Sequence, residues 1–425
     1  MKSLLDKVNS KLNAQGGFLK AVSVLVGGTA IGQLISILAL PILTRLYEPK
    51  AFSILAVYIS TVSLLTVIAC MRFEIAIPLP KVDRTAAALC VLAIINVLFF
   101  SLLTTLFVIF FPNIFNTLTD NKISQFLWLI PIGVFAIGLY NALQYWSTRN
   151  KKFTLISKTR ITQSVSGTGV KLGVGYLFGS WTIGLILGQL LAQAAGFLSL
   201  GGSLIKNDWK IFKTLRLIHL KAAFKRYDKF PKYSTLEALT NAGGHHLPII
   251  LIAYYAVGPE AGYLMIGMQL MSIPIGLLGS SIAQVYLAEG AKKFHQNELK
   301  KFTYNTIYNL AKIAFVPLLL AAIVSPFLVP YVLGEEWYRT GILISWMFPW
   351  FFMQLISSPV SMSLHITGNQ KIALLLQVFG FMLRVGSVLF AVKFMSDYIS
   401  EFYAISGFIF YSIYLIIVIY TLSSN

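Results

Sequence analysis

Long apolar runs separated by short polar segments dominate the chain. Twelve of these runs approach or exceed the 17–25 residues with which a helix crosses a bilayer. They lie at about 21–44, 51–71, 86–111, 123–146, 161–179, 181–204, 234–257, 261–287, 304–329, 341–365, 372–392 and 402–422. The fifth run is rich in Gly and Ser and the seventh contains charged and imidazole groups, so these two are the weakest. The pattern predicts an all-α integral membrane protein with twelve transmembrane helices.

The cationic residues alternate in number from loop to loop. Of the 34 Lys and Arg residues, 26 lie on the side of the N-terminus, 5 lie on the opposite side and 3 lie inside predicted spans. Cytoplasmic loops carry the excess of Lys and Arg in membrane proteins. Both termini are therefore predicted to be cytoplasmic, and one omitted span would destroy the alternation.

The overall composition excludes most classes of soluble protein. The chain is 57% hydrophobic and 12% charged, with a mean hydropathy of +0.75, whereas globular domains are about 25% charged. The net charge of +19 would suggest a nucleic-acid partner, but the cations follow the topology, so we expect none. Cys70 and Cys90 lie in apolar runs and are predicted to be small buried residues. No metal site, disulfide or organic cofactor is expected.

A basic segment at 206–232 separates the first six spans from the last six. It holds nine of the cations, and Ile211, Leu215, Ile218 and Ala222 recur in it at helical spacing. We predict an amphipathic helix that lies on the anionic lipids of the inner leaflet. A flexible basic tether is the alternative. The predicted domains are an N-terminal lobe at 1–205, this linker, and a C-terminal lobe at 233–425.

Short matches between the two halves indicate an internal repeat. Leu40-Pro41-Ile42 corresponds to Leu247-Pro248-Ile249, and Lys171-Leu172-Gly173 corresponds to Arg384-Val385-Gly386. Both halves start on the same side of the membrane. The halves are therefore predicted to be parallel repeats, as in transporters built from six plus six helices.

Three cations lie deep inside predicted spans, where charged side chains usually face a bundle interior or an aqueous cavity. Lys171, Lys312 and Arg384 lie 11 to 13 residues beyond the last cytoplasmic cation of their spans, roughly 16–20 Å inward. Polar or small residues lie on the same helix faces as these cations. Asn309 shares a face with Lys312, and Gln377 shares a face with Arg384. We predict that these five residues bind an anionic cargo and that Gln33 also binds the cargo, through hydrogen bonds to sugar hydroxyls; for Gln33 an interhelical polar contact is the alternative. The alternative is that the cations bond carbonyl or carboxylate groups and serve packing alone.

Other polar and small residues in the spans have predicted roles. Glu237, near the cytoplasmic end of the seventh span, could bind a coupling proton or gate the cavity, or it could reach interfacial water. Coupling to a proton gradient, a sodium gradient or the membrane potential stays open. Adjacent His245 and His246 must point to different helix faces, so joint metal binding is not expected. The pairs Gly28/Gly32 and Gly184/Gly188 have the spacing that permits close helix approach.

Three segments in the first 80 residues form recognisable motifs: GTAIGQ at 28–33, LPILTRLY at 40–47 with Pro49, and MRFEIAIPLP at 71–80. These motifs resemble those of Wzx-type polysaccharide flippases, which belong to the MOP superfamily that also contains the MATE transporters. The resemblance covers about the first 80 residues as sequence motif and the whole chain as architecture.

This resemblance implies two six-helix lobes around a cavity that opens alternately to the two sides of the bacterial inner membrane. The implied cargo is an undecaprenyl-diphosphate-linked oligosaccharide, the repeat unit of O-antigen or capsule. A polysaccharide polymerase and a chain-length regulator are the implied protein partners. Arg45, Arg72 and Glu74 match the family blocks and are expected to act in gating. For Arg72 and Glu74, a cytoplasmic salt bridge and direct substrate contact both stay open.

Two rival functions come from other classes. A MATE-type multidrug exporter that is coupled to cations should carry intramembrane carboxylates, but here only Glu237 lies near a span. A membrane enzyme such as a glycan polymerase should carry substantial external loops with acid and base groups, but the external loops are short. We therefore expect a transporter rather than an enzyme.

Overall fold

The computed structural model describes residues 17–119, 121–179, 181–276, 296–367 and 369–423, together with 282, 286, 289–290 and 293–294. Long helices occupy all twelve predicted positions within these residues. In chain order they are α1 Gly17–Leu46, α2 Pro49–Ala69, α3 Asp83–Phe110, α4 Leu129–Arg149, α5 Phe153–Phe178, α6 Ile183–Asn207, α7 Thr235–Tyr255, α8 Glu260–Pro274, α9 Leu299–Leu333, α10 Tyr338–Val360, α11 Gln370–Phe394 and α12 Ile399–Ser423.

Nine of the helices in the described residues are long and apolar enough to cross a membrane. The other three are α5, α7 and α8, of which α5 and α7 coincide with the two weakest runs. The chain is thus an all-helical, multi-pass membrane protein. The full count of twelve spans and the cytoplasmic termini stay predictions.

The helix α5 begins earlier than the hydropathy pattern predicts. It starts at Phe153 rather than 161, directly after a turn in which Lys151 has a φ of 54°. This start places Arg160 two turns inside the helix instead of at its cytoplasmic end.

The two halves pack their helices in the same order. In the first half α1 and α6 pack on α5, while α3 and α6 pack on α4. In the second half α7 and α12 pack on α11, while α9 and α12 pack on α10. Pro41 in α1 and Pro248 in α7 lie inside corresponding helices. These contacts agree with the internal repeat that the sequence matches indicate.

A buried tryptophan joins the two halves where α1 ends and α2 begins. Trp337, which precedes α10, is fully buried and donates from Nε1 to the carbonyl oxygen of Thr44 at 3.1 Å. Its ring meets Phe52 edge to face at 5.1 Å between centroids and Tyr263 at 5.9 Å. We call Trp337, Thr44, Phe52 and Tyr263 the Trp337 cluster. This cluster holds the two halves in contact at this end of the bundle.

Ion pairs fix helix ends in both halves. Arg339 pairs with Glu260 at 2.8 Å and with Glu401 at 2.7 Å, which ties together the starts of α8, α10 and α12. At the other end of the first half, Lys152 pairs with Asp208 at 2.7 Å, between α4 and the end of α6.

The prediction of one continuous amphipathic linker helix is wrong. The segment forms two short helices, Trp209–Lys213 and Leu217–Arg226, because Arg216 is extended and its backbone N–H donates to Nδ1 of His219 at 3.0 Å. The helical register restarts at this break. Ala223 is therefore buried against the first half, whereas Ala222 and Ile218 are exposed.

Labelling of single cysteines tests whether α5 and α7 cross the membrane. Trp181→Cys and Val257→Cys should react with an impermeant maleimide added to intact cells, and Lys225→Cys should react only after permeabilisation. The background is low because Cys70 and Cys90 are buried. Labelling of Trp181→Cys from the same side as Lys151→Cys, in the turn before α5, would contradict a membrane-crossing α5, and labelling of Val257→Cys from the same side as Lys225→Cys would contradict a membrane-crossing α7.

Candidate functional site

A polar cavity of about 350 Å³ lies between the two halves. Helices α1, α5 and α6 form most of its wall, α4 contributes Tyr140, and α8 contributes residues from the second half. We call it the central cavity. Its lining residues are Thr29, Gly32, Gln33, Ser36, Ile37, Tyr140, Arg160, Gln163, Ser164, Gly167, Thr168, Lys171, Gln189, Ala192, Gln193, Gln269, Ser272 and Ile273.

Two cations on one face of α5 give the central cavity its charge. Arg160 and Lys171 are 11 residues apart, three helical turns or roughly 16 Å along the axis. The Arg160 guanidinium donates to the hydroxyl of Thr29 and hydrogen-bonds Tyr140. Among the described residues, no Asp or Glu lines this cavity. The site is therefore suited to an anionic ligand.

Five glutamines supply most of the remaining hydrogen-bonding groups of the central cavity. They are Gln33, Gln163, Gln189, Gln193 and Gln269. Oε1 of Gln33 is buried and has no hydrogen-bond partner in the described part of the chain. Each carboxamide carries both a donor and an acceptor, the combination that hydroxyl groups of a sugar require.

Small residues bring the cavity helices close together, as the sequence spacing predicts. A Cβ atom on Gly28 would lie 1.9 Å from Oγ of Ser157, and one on Gly188 would lie 2.4 Å from Cγ of Lys171. The hydroxyl of Tyr47 donates to the carbonyl oxygen of Lys171 at 2.7 Å. Glycine at these positions thus lets α1 and α6 approach α5 and leaves room for the lysine side chain.

The structure places Arg384 in a different cavity, of about 220 Å³, within the second half. Gln377 lines the same cavity, and the two cavities share no lining residue. Nη1 of Arg384 lies 3.2 Å from Nε2 of His245. His246 instead contacts Ser60 of α2 at 3.4 Å, so the adjacent histidines point to different faces as predicted.

Lys312 and Asn309 line neither of these two cavities. Both are exposed on α9, together with Asn305 and Tyr308. Leu310 and Ala314 form the buried side of this helix. The expectation of an inward-facing stripe at Lys312 is therefore wrong, because a polar stripe identifies a face but not the neighbour that the face meets.

Glu237 and Arg45 lie at exposed positions near opposite ends of the bundle. Glu237 is exposed in the first turn of α7. Arg45 is exposed at the end of α1, and it lines a surface cavity with residues of the Trp337 cluster, Thr44 and Trp337. Their predicted roles in coupling or gating remain predictions.

The Arg72-Phe73-Glu74 motif forms a tight turn after α2. Met71 and Arg72 have left-handed backbone, with φ of 48° and 59°, a conformation that is uncommon for residues other than glycine. Arg72 Nη1 lies 3.5 Å from the Glu74 carboxylate, which is a salt bridge and thus one of the two alternatives that the sequence leaves open. Phe73 is fully buried, and burial raises the pKa of Glu74 above its ordinary value.

Sequence reasoning missed Arg160 as a site residue and Arg149 as an anchor of the segment before α3. Arg160 shares a face with Ser164, Thr168 and Lys171, a signal that an earlier start of the fifth span would have revealed. Arg149 donates to the carbonyl oxygen of Pro80 at 2.5 Å and pairs with Asp83 at 2.8 Å. It thereby anchors the segment that follows the Arg72-Phe73-Glu74 turn.

Comparison with protein families gives a match that spans most of the chain. The family described as "Polysaccharide biosynthesis protein" matches residues 42–341. A search of curated proteins gives no match.

Several solved structures share the fold. The lipid II flippase MurJ, in an inward closed conformation, matches with a TM-score of 0.65 and 16% identity over 94% of this chain and 90% of that one. An inward-facing multidrug resistance MATE family transporter of the MOP superfamily matches with a TM-score of 0.61 and 14% identity over 95% of this chain and 94% of that one. A MOP superfamily transporter from Pyrococcus furiosus, described as having a binding pocket of reverse polarity, matches with a TM-score of 0.57 and 15% identity over 95% of this chain and 96% of that one.

The buried Glu74 carboxyl predicts a pH-dependent stability. Its pKa is raised in the folded protein, so its protonated form stabilises the fold below the ordinary value of 4.5. That contribution is lost as pH rises through the folded pKa. We expect the thermal midpoint of purified protein to fall as the pH rises across this range.

Glu74→Gln should remove this fall, because the amide does not titrate. The matched control is Glu237→Gln, which changes an exposed carboxyl and should keep the wild-type pH profile. A Glu74→Gln profile identical to that of the wild type would contradict the assignment.

Proposed function

The chain belongs to the polysaccharide biosynthesis protein family, and on that basis we propose that it is a flippase for undecaprenyl-diphosphate-linked oligosaccharides. It would move the repeat unit of O-antigen or capsule across the bacterial inner membrane. The observation that carries this proposal is a central cavity with two cations, five glutamines and, in the described residues, no acidic lining group.

The diphosphate is the part of this cargo that the two cations would bind. Hydrogen bonds between cationic side chains and phosphate oxygens are short and strong, and a guanidinium can make two in parallel. Arg160 has the planar guanidinium that can make two parallel hydrogen bonds. Lys171 instead presents a compact ammonium charge about three turns away along α5. The glutamine carboxamides would hydrogen-bond the sugar hydroxyls, and the lipid tail would stay in the bilayer.

The position of the Trp337 cluster supports alternating access as the mechanism. α1 runs from the N-terminal side to Thr44, and the cavity residues Thr29 to Ile37 precede that point. α8 runs away from Tyr263, and its cavity residues Gln269 to Ile273 follow it. The central cavity therefore lies on the N-terminal side of the closed cluster. With that side cytoplasmic, as predicted, the cavity would receive cargo from the cytoplasm, and separation of the cluster would release it outside.

Export of organic cations is less compatible with this cavity. A cationic drug needs carboxylate or aromatic partners, but the described lining presents two positive charges and a single aromatic ring, Tyr140. The likeness to the MATE transporter, at 14% identity, shows the fold alone.

Substitution of the two cavity cations tests the proposed flippase activity. Arg160→Gln and Lys171→Gln should each slow the movement of a lipid-diphosphate-linked glycan across liposome membranes about tenfold or more, since each removes a charged hydrogen-bond donor worth roughly 1.5–3 kcal/mol. Cells that carry these variants should accumulate the lipid-linked unit inside.

Lys312→Gln is the matched control, because it removes a lysine of an exposed helix face outside both cavities. It should keep the wild-type rate and abundance. The proposal would be wrong if the double variant with Arg160→Gln and Lys171→Gln moved the glycan at the wild-type rate.

The linker is proposed to contact anionic lipids through its second helix, Leu217–Arg226. On the exposed side of this helix, Leu217, Ile218 and Phe224 alternate with Lys221 and Lys225. Apolar side chains flanked by lysine suit the headgroup boundary of a membrane, where long cationic side chains reach the phosphates.

An environment-sensitive dye on the linker tests this contact. The emission of a dye on Ile218→Cys should shift to the blue in nanodiscs that contain phosphatidylglycerol, relative to nanodiscs of phosphatidylcholine alone. A dye on Lys151→Cys, at an exposed turn, should emit alike in both. Equal emission of the Ile218 dye in the two lipids would refute the contact.

A further inference from the structure

The Arg384 side chain is a buried cation with unused hydrogen-bond donors. It is 3% exposed, and its Nε and Nη2 atoms have no hydrogen-bond partner in the described residues. The third donor group, Nη1, meets only the imidazole of His245, at 3.2 Å. Arg384 is thus buried with two of its three nitrogen atoms unsatisfied.

The groups around Arg384 do not neutralise its charge. Three aromatic rings face the guanidinium carbon, with centroids at 4.7 Å for Phe410, 5.6 Å for Tyr411 and 5.7 Å for Trp350. Aromatic faces attract a cation but carry no net charge. Within the described part of the chain, no salt bridge to Arg384 is present and no carboxylate lines its cavity.

The rest of the cavity wall consists of neutral groups that can donate hydrogen bonds. Hydroxyl and amide side chains come from α7, α10, α11 and α12, and Oγ of Ser357 is buried and has no hydrogen-bond partner among the described residues. The lining residues are Asn241, His245, Ser357, Ser358, Ser361, Gln377, Arg384, Phe410, Tyr411 and Tyr414. Unsatisfied donors, a fixed positive charge and an empty volume therefore coincide at one place.

A buried charge is costly unless a counter-charge and hydrogen bonds compensate it. We propose that the Arg384 cavity binds a small monovalent inorganic anion, such as chloride, together with water. One guanidinium calls for one negative charge to make the buried assembly neutral. The volume of about 220 Å³ holds an ion with several waters, but it is too small for a diphosphate-linked oligosaccharide.

The anion would enter from the same side of the membrane as the cargo. Asn241 is exposed near the start of α7, and Ser361 directly follows the end of α10. Both positions lie at the end of the bundle that is opposite to the Trp337 cluster. This inference goes beyond the proposed flippase activity, because binding of the ion requires no glycan.

Binding of chloride to the purified full-length protein tests the inference. The thermal midpoint should rise with chloride relative to gluconate at equal ionic strength, and radioactive chloride should bind with a stoichiometry near one. Arg384→Gln should weaken this binding at least tenfold, because it removes the charge and the free donors. Lys171→Gln is the matched control and should keep the chloride site that Arg384→Gln weakens, because Lys171 lines the other cavity, even if it no longer moves glycan.

A second measurement covers the case in which Arg384→Gln does not fold. Crystals of the wild-type protein grown with bromide should show an anomalous scattering peak beside the Arg384 guanidinium. Ser357→Val, which fills part of the cavity and removes an unpaired hydroxyl, should lower chloride affinity. Equal behaviour in chloride and gluconate, or a bromide peak only in the central cavity, would overturn the proposal.

Discussion

The cost of holding cations inside a membrane protein without carboxylate partners is the constraint on which this structure depends. Lys171 in α5 and Arg384 in α11 occupy corresponding helices of the two halves, and neither makes an ion pair within the described residues. In a medium of low dielectric constant, such charges must face water, polar groups or a bound anion. Each cation is accordingly found at a cavity that hydroxyl and carboxamide groups line.

The ion pairs that stabilise the bundle lie at helix ends instead. Arg339 joins Glu260 and Glu401 at one end, and Lys152 joins Asp208 at the other. Paired charges at the ends hold the helices together, while the cations that line the two cavities stay available for a ligand. The ion pairs and the unpaired cations therefore lie in different parts of the bundle. The ion pairs stabilise the helix packing, while the cations give the apolar interior a positive charge.

The two halves repeat the same packing but present different chemistry. The central cavity offers two cations and five glutamines where the halves meet, which suits a charged headgroup with sugars. The Arg384 cavity is enclosed within one half and offers a single cation among aromatic rings, which suits one small ion. The Trp337 cluster closes the contact between the halves on one side of both cavities, so cargo and ion would share the access that remains.

The sequence by itself determined the helices, their approximate bounds and the presence of cations inside predicted spans, because apolar length and charge placement are local properties that a bilayer enforces. It also determined the close approach at Gly28 and Gly188, which small side chains dictate. Only the tertiary structure decided which neighbour each polar face meets. It brought Arg160 into the central cavity, left Lys312 on an exposed face and separated Arg384 from Lys171. Helical periodicity defines the face of one helix, whereas a binding site depends on how several helices are packed against each other.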